Sequence, residues 1–188
     1  MRPAPPSLAI QRAVAAIHNG GVIAYPTEAV WGLGCDPADE LAVNRLLALK
    51  HRAVAKGLIL VASKESQIEW LLAGLSAAQR ARLELSWPGP TTWLVPHNNR
   101  LPHWIYGDHD TVAVRVSDHP IIRALCDCWG GALVSTSANK SGGTAAVAQF
   151  QVRRYFGDEL DFVVPGSVGD AGRPSHIRDL VSDRVIRD

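Results

Sequence analysis

The amino-acid sequence predicts an α/β fold built around a mixed β-sheet. Short apolar runs with strand character are interleaved with segments of helical periodicity, which is typical of α/β domains. Several connections, notably 96–111, are too short for a helical crossover, so we expect some neighbouring strands to be antiparallel. No repeat or linker interrupts 8–187, which predicts one domain there, and 1–7 is expected to be a flexible segment.

The first elements are a helix, a strand and a second helix. Apolar residues recur at helical spacing over 8–18, and Gly20-Gly21 ends that helix because glycine readily adopts a left-handed conformation. The apolar run 22–25 indicates a short buried strand. A glycine-rich loop is expected over 27–37, followed by a helix at 39–50 whose apolar residues form one stripe.

The middle of the chain predicts three strands and one helix. The uninterrupted apolar run 58–62 is typical of a strand covered on both faces. Ser76 and Gln79 have the spacing of a capping box, which begins a helix reaching about Leu85. The runs 91–95 and 111–116 are further strands.

The remaining elements alternate in the same way. A helix at 118–129 has a proline placed for its first turn. The run 132–136 is a buried strand, and 147–156 is a helix. The segments 162–164 and 177–186 supply the last strands of the sheet.

Composition and charge exclude several classes of protein. The chain has 47% hydrophobic and 20% charged residues, and 19 basic against 18 acidic side chains leave a net charge of +1, so a uniformly polyanion-coating surface is excluded. There is no apolar run of membrane-spanning length and no signal peptide, so we expect a cytoplasmic protein that binds no membrane. Cys126 and Cys128 are interpreted as reduced thiols on a helix, since no second cysteine pair is present to complete a metal site.

The common phosphate-binding and nucleophile motifs are absent from the sequence. There is no G-x-x-x-x-G-K-[ST], and the 32–34 Gly-Leu-Gly lacks the third glycine of a dinucleotide fingerprint. No nucleophile elbow or H-E-x-x-H occurs either. A nucleotide would therefore have to be bound by another device.

The basic segment 50–56 is the candidate device. Lys50, Arg52 and Lys56 fall within seven residues between a helix and an apolar strand. Cations at a helix end are commonly a solvated turn that is favoured by the helix dipole. The alternative is a phosphate site, in which arginine binds as a fork and lysine as a point charge.

The strand 111–116 alternates in a way that places an arginine opposite the core. Its three valines share one face, so Thr111 and Arg115 share the other. That face is either solvated or the wall of a cleft. In a cleft, Arg115 would be a fixed clamp for a carboxylate or a phosphate.

A third candidate lies where the strand 132–136 ends. Ser137 and Asn139 follow the strand directly, and ligands in α/β proteins gather outside strand ends. Ser and Asn also satisfy the backbone of ordinary turns. The local pattern leaves the two interpretations open.

Six blocks of the sequence together resemble the YrdC/TsaC family. They occur in the family's order over about residues 8–187, in the short single-domain form of its bacterial branch. The blocks are 25–36 (YPTEAVWGLGCD), 50–60 (KHRAVAKGLIL), 87–92 (WPGPTT), 112–120 (VAVRVSDHP), 135–139 (STSAN) and 174–179 (PSHIRD).

The resemblance implies a fold, an activity and partners. The fold would be an open, twisted α/β sheet with flanking helices around a concave basic cavity. The activity would be that of an L-threonylcarbamoyladenylate synthase, which uses L-threonine, bicarbonate or CO2, and ATP, and releases diphosphate. Downstream transfer proteins would then modify adenosine in tRNAs that read codons beginning with A.

The resemblance also implies roles for individual residues. Lys50 and Arg52 would be catalytic, with Lys50, Arg52 and Lys56 on the phosphates of ATP. The other implied ATP-binding residues are Thr111, Ser137, Asn139 and Arg187. The implied threonine-binding residues are Thr27, Arg115 and Ser175.

Three alanines depart from the pattern of many relatives. Ala53 replaces a proline in the basic segment, which predicts a less rigid loop. Ala29 and Ala145 stand where many or some relatives have a hydroxyl, so those contacts would be missing here.

The sequence contains no compact carboxylate cluster, so no protein-held metal is predicted. We expect Mg²⁺ to arrive with ATP, held by phosphate oxygens and water. Two other functions fit a basic cavity: an RNA-binding module, with weak RNA binding, or a carbamoyl-adenylate domain like that of the much longer hydrogenase-maturation carbamoyltransferases. The near-neutral charge and lack of aromatic RNA motifs argue against the first.

Overall fold

The computed structural model describes residues 7–172 and 175–187. The helices are α1 (Leu8–His18), α2 (Glu40–Leu49), α3 (Glu69–Leu72), α4 (Ala77–Glu84), α5 (His103–Tyr106), α6 (Pro120–Trp129) and α7 (Gln149–Phe156). The strands are β1 (Ile23–Pro26), β2 (Trp31–Gly34), β3 (Ile59–Ala62), β4 (Thr91–Pro96), β5 (Thr111–Val116), β6 (Leu133–Ser137), β7 (Phe162–Val163), β8 (His176–Asp179) and β9 (Val185–Arg187).

The strands form one open mixed sheet in the order β7-β1-β2-β6-β3-β5-β4-β8-β9. The pairs β1/β7, β3/β5 and β4/β8 are parallel, and the other neighbours are antiparallel. The predicted mixed α/β sheet with flanking helices is therefore confirmed.

Most predicted elements occur close to their predicted bounds. The capping box is present: the Ser76 hydroxyl accepts from the Gln79 amide and the Gln79 side chain accepts from the Ser76 amide. Pro120 occupies the first turn of α6. Ser7, predicted to belong to a flexible segment, caps α1 through its hydroxyl, whereas 1–6 lie outside the described residues.

The predicted loop at 27–37 was wrong in part, because β2 lies within it. β2 pairs with β1 as a hairpin, and its residues alternate between large side chains and glycine. The glycines are needed for close approach: a Cβ on Gly34 would lie 2.4 Å from the carbonyl oxygen of Val134 and 2.9 Å from the ring of Tyr25. Glycine content usually indicates a loop, but here it reflects dense packing.

On one face of the sheet, helices cover one part of the strands and leave the other part open. Val61 in β3 pairs with Arg115 in β5 and with Leu133 in β6, while Ile59, two residues earlier, pairs with Ala113 and Ser135. α1 and α6 cover Val61 and Leu133 in one hydrophobic cluster. Beyond that cover, the same face carries a cavity.

The opposite face of the sheet is covered by a second, larger hydrophobic cluster. It contains the three valines of β5 together with Leu60 and the buried side chains of α2. β3 contributes Leu60 and Ala62 to this cluster and Val61 to the other, so the strand is covered on both faces except at Ile59, which lines the cavity. The packing leaves the Arg115 face of β5 available to the cavity.

Candidate active site

A cavity of about 600 Å³ lies on the uncovered part of the sheet. Its floor includes Ile59, Ala113 and Ser135, and the turn after β1, the basic segment and the strand β9 contribute to its walls. Within the described ranges, its lining includes the cationic side chains of Arg52, Lys56, Arg115 and Arg187 and the carboxylate of Glu28.

Arg52 is fixed at the cavity by the segment that follows α2. Its amide donates to the carbonyl of Leu47 at 2.9 Å, and the backbone then enters a short 3₁₀ turn, Val54–Lys56. The guanidinium donates through Nε and Nη2 to the Gly57 carbonyl at 3.2 and 2.9 Å. Partial burial lowers the pKa of Arg52. One edge of the guanidinium is thus held by the protein, and the group lines the cavity.

Lys56 and Gly57 complete the basic segment. Lys56 is exposed and lines the cavity. Gly57 has a φ of +59°, and a Cβ there would lie 2.9 Å from the carbonyl oxygen of Tyr106 in α5. This tight contact against α5 sets the position of the basic segment.

The position of Lys50 differs from the expectation that this residue contacts the phosphates of ATP. It is 2% exposed and lies behind the lining residues. Its Nζ donates to the carbonyl of Ser137, to the carbonyl of Asn139 at 2.8 Å and to Oδ1 of Asn139 at 3.5 Å. Burial, and secondarily the charge of Arg52, lower the pKa of Lys50 to about 8. The structure therefore ties Lys50 to the end of β6 rather than to the cavity.

Ser137 and Asn139 lie in a hydrogen-bonded turn at the end of β6. The Ser137 hydroxyl donates to Oδ1 of Asn139 at 2.6 Å, and Nδ2 of Asn139 donates to the carbonyls of Lys140 and Gly143 at 3.0 and 2.7 Å. These bonds organise the turn. Both residues also line the cavity, and their role in ligand binding stays a prediction.

Arg115 and Thr111 lie on the cavity face of β5, as the alternation predicts. Both line the cavity, whereas Val114 and Val116 are buried in the core and do not line it. Arg115 is 8% exposed, and its Nη2 lies 3.2 Å from Oε2 of Glu28. The other oxygen of Glu28 accepts from the Ser117 hydroxyl at 2.5 Å.

The C-terminal strands bring Ser175 and Arg187 to the same cavity. Nη2 of Arg187 donates to the carbonyl of Ser175 at 2.7 Å, and the buried Thr92 hydroxyl donates to Oγ of Ser175 at 2.9 Å. Burial, and then the neighbouring charge of Arg115, lower the pKa of Arg187. Pro174, quoted in the same sequence block, lies outside the described residues.

Thr27 is held in the turn that joins β1 to β2. Its hydroxyl donates to the Val30 carbonyl at 2.7 Å, and the Val30 carbonyl also accepts from the Thr27 amide at 3.0 Å. The residue lines the cavity near Glu28. All the predicted site residues except Lys50 therefore line one cavity.

Glu28, Tyr106 and His109 also line the cavity but had no role in the sequence interpretation. Glu28 could have been singled out, because it stands beside Thr27 in the sequence block 25–36. Tyr106 and His109 lie in the connection 96–111, where no local pattern indicates that the chain folds back over the sheet.

The described part of the chain contains neither a cluster of metal-ligating side chains nor a membrane-spanning helix. No group of three or more His, Cys, Asp or Glu side chains there could hold a metal ion. None of the helices found there has the length and apolarity needed to cross a membrane.

The match to a family model decides the family. The Sua5/YciO/YrdC model, described as "Telomere recombination", matches residues 15–188. The chain belongs to the Sua5/YciO/YrdC family. The predicted family resemblance is therefore confirmed.

Members of this family are similar to the chain in sequence and in structure. A relative from Pseudomonas aeruginosa (strain UCBPP-PA14), named threonylcarbamoyl-AMP synthase, is 55% identical over 181 residues, covering 96% of this chain and 97% of the relative. P. abyssi Sua5 complexed with L-threonine is 31% identical with a TM-score of 0.84, over 90% of this chain and 50% of that chain. E. coli YciO, at 23% identity and a TM-score of 0.83 over 95% and 88% of the two chains, supports the fold alone. The chain thus spans about half the length of P. abyssi Sua5.

The three alanines that depart from the family pattern lie in or near the cavity. Ala29 and Ala145 line it. Ala53 precedes the 3₁₀ turn of the basic segment, with a φ of −66°. Both lining positions therefore present a methyl group to the cavity.

Proposed function

We propose that this chain is an L-threonylcarbamoyladenylate synthase. The observation that carries the proposal is one cavity lined by three cationic side chains. They are Arg52, whose guanidinium is held by the Gly57 carbonyl, the exposed Lys56 and the buried Arg115. The P. aeruginosa relative carries the name of this activity, and P. abyssi Sua5 has been solved with L-threonine. Both support the same substrates for this chain.

The reaction requires two anionic substrates to meet. The amine of L-threonine combines with bicarbonate to form a carbamate, with loss of water. A carbamate oxygen then attacks the α-phosphorus of ATP, the bond to the β-phosphate bridging oxygen breaks, and diphosphate leaves. No covalent protein intermediate is required, so the protein acts by positioning and by offsetting negative charge.

The cations of the cavity divide between the two substrates in this proposal. Arg52 and Lys56 bind phosphate oxygens, with Thr111, Ser137, Asn139 and Arg187 along the nucleotide. Arg115 binds the carboxylate of threonine, with Thr27 and Ser175 beside it. Within the described residues, positive side chains outnumber carboxylates in the lining, which supports binding of anions.

Lys50 acts indirectly in this proposal. By holding the carbonyls of Ser137 and Asn139, it keeps the β6 turn in the conformation that lines the cavity. The expected effect of replacing it is therefore loss of site geometry rather than loss of one phosphate contact.

Mg²⁺ would enter with the nucleotide. The carboxylate of Glu28 is engaged by Ser117 and Arg115, so it is a poor candidate for a metal ligand. Bound Mg²⁺ would offset charge on the triphosphate, and its ligands would be phosphate oxygens and water. Partner proteins would then transfer the threonylcarbamoyl group to tRNA. Because these steps use tRNA, we expect the enzyme to act in the cytoplasm.

Diphosphate release from ATP tests the function directly. We expect release that requires both L-threonine and bicarbonate. Arg52→Ala should lower the rate at least about 100-fold, the scale of losing a key charge-stabilising group. Arg12→Ala, an exposed arginine on α1, is the matched control and should leave the rate unchanged.

Two results would contradict the proposal. Diphosphate release without threonine dependence would exclude it, as would full activity of the Arg52→Ala variant. An RNA-binding module would instead show salt-sensitive RNA binding and no response to threonine.

A further inference from the structure

Glu28 is a largely buried carboxylate at the cavity with no part in the chemistry proposed above. Its side chain is 17% exposed, and that of Arg115 is 10% exposed. Glu28 Oε1 accepts from the Ser117 hydroxyl at 2.5 Å, and Oε2 lies 3.2 Å from Nη2 of Arg115. A buried carboxylate is costly unless it is paired, so this arrangement needs a reason.

The protein holds Glu28 from two sides. Its carbonyl accepts from the Ala171 amide at 3.1 Å, and the preceding Thr27 carbonyl accepts from the Gly169 amide at 2.9 Å. On the side-chain side, the amide of His119 donates to Oγ of Ser117 at 3.1 Å. Because Oγ accepts there, its own proton is free to donate to Glu28. The Glu28 carboxylate is therefore fixed by bonds that do not involve Arg115.

Arg115 depends on this carboxylate for its orientation. Its Nε is buried and has no hydrogen-bond partner among the described residues, and Glu28 provides its ion pair. Arg187 carries a like charge in the same cavity, and after its own burial the charge of Arg115 is the second cause that lowers the Arg187 pKa. A long cationic side chain in such surroundings would move away without a counter-charge.

We propose that Glu28 is a positioning residue that holds the Arg115 guanidinium in place for the substrate carboxylate. This inference rests on the proposed function, in which Arg115 binds the carboxylate of threonine. The site would thereby select amino acids with a free carboxylate over uncharged analogues such as L-threoninamide.

A direct contact between Glu28 and the ammonium group of threonine is the competing role. Oε1 accepts from the Ser117 hydroxyl, and Oε2 is buried 3.2 Å from Nη2 of Arg115 with no hydrogen-bond partner among the described residues. The two roles predict different selectivity. If Glu28 contacts the ammonium group, its loss would weaken the binding of threonine and of threoninamide equally. If Glu28 positions Arg115, its loss would weaken the binding of threonine alone.

Calorimetric dissociation constants for L-threonine and L-threoninamide, each measured on the full chain, test the proposal. The unmutated protein should prefer threonine. Glu28→Gln removes the counter-charge of Arg115 and should weaken threonine binding at least about 30-fold, the lower end of the loss expected when one partner of a buried charge pair is removed. Binding of threoninamide and the KM for ATP should stay unchanged.

Two further variants keep the test informative. Asp118→Asn is the matched control, since Asp118 pairs with Arg123 at 3.1 Å on the exposed surface and should change neither constant. Ser117→Ala removes the bond to Oε1 and should weaken threonine binding about threefold in the same selective way. It replaces Glu28→Gln if that variant does not fold.

The proposal is overturned if Glu28→Gln leaves the preference for threonine over threoninamide unchanged, whether both bind as before or both weaken equally. Tighter threonine binding by the variant would also overturn it. If the unmutated protein binds no threonine, the proposed function fails together with this inference, and the wild-type titration alone reveals that case.

Discussion

The ammonium group of Lys50 is used by the protein's own backbone. It binds two carbonyl groups at the end of β6 while only 2% of the residue is exposed. Burial places its pKa at about 8, against an ordinary value of 10.5. Lys50 is therefore close to the point at which it loses its charge in the folded protein, a property that the sequence pattern of a basic segment does not reveal.

We expect this lowered pKa to make stability depend on pH. Between pH 8 and 10.5 the unfolded chain keeps the Lys50 proton and the folded chain releases it, so the contribution of Lys50 to the free energy of unfolding rises with pH in that window. The increase should approach about 1.4 kcal/mol per pH unit. This gain in the free energy of unfolding is lost again as the pH falls from 10.5 through about 8.

Urea unfolding from pH 7.5 to 10.5 measures this effect. The difference between the unmutated protein and Lys50→Met isolates the titration of Lys50, because all other groups are shared. A difference that does not change over this range would mean that the ammonium group is solvated in the folded state.

At the scale of elements, the hairpin of β1 and β2 is held together by close packing at glycine. Gly34→Ala should lower the free energy of unfolding by about 1–3 kcal/mol or more, because its Cβ would overlap the Val134 carbonyl. Thermal or urea unfolding measures the loss. Gly131→Ala is the control, since a Cβ there would meet its nearest neighbour at 3.7 Å. Equal stability of the two variants would contradict the packing explanation.

The basic segment offers a stabilising substitution. Ala53 has a φ of −66°, the value that proline imposes, and it precedes the 3₁₀ turn 54–56. Ala53→Pro should raise the free energy of unfolding by about 0.4–1 kcal/mol by restricting the unfolded chain. Urea unfolding checks the expected increase. A loss of stability would show that the backbone at position 52 cannot adopt the extended conformation that precedes proline.

Local sequence patterns predicted most elements but only part of the site. The alternation in β5 placed Arg115 opposite the core because strand geometry follows directly from residue spacing. β2 was missed, since the reason for its glycines is the ring of Tyr25 and a carbonyl from a distant strand. The burial of Lys50 and its bonds to the β6 turn depend on tertiary packing between segments about 90 residues apart, which no local pattern contains.

On the scale of the whole molecule, the cavity joins distant parts of the chain. Thr27 and Glu28 come from the first hairpin, Arg52 from the segment after α2, and Arg187 from β9. A ligand that contacts all of these groups can bind only when the whole chain is folded, and its binding therefore stabilises the complete fold. We therefore expect ATP with threonine to slow amide hydrogen exchange in β9, an edge strand whose residues are exposed.

Hydrogen exchange followed by mass spectrometry checks this expectation. Protection should appear in β9 and in the turn 27–30 together. The exposed helix α4, which supplies no lining residue, is the internal control. Protection confined to the basic segment would mean that the C-terminal strand does not take part in ligand binding.

The interleaved strand order also bears on how the protein is made. β1, near the start of the chain, pairs with β7, and β4 pairs with β8, so β1 and β4 each wait for a partner strand far along the chain. Contacts of such long sequence separation form slowly, since loop closure precedes the gain from pairing. During synthesis the helices and the first hairpin can form early. The ligand cavity, in contrast, stays incomplete until β9 has left the ribosome, so nascent chains that stop short of it would bind substrates poorly.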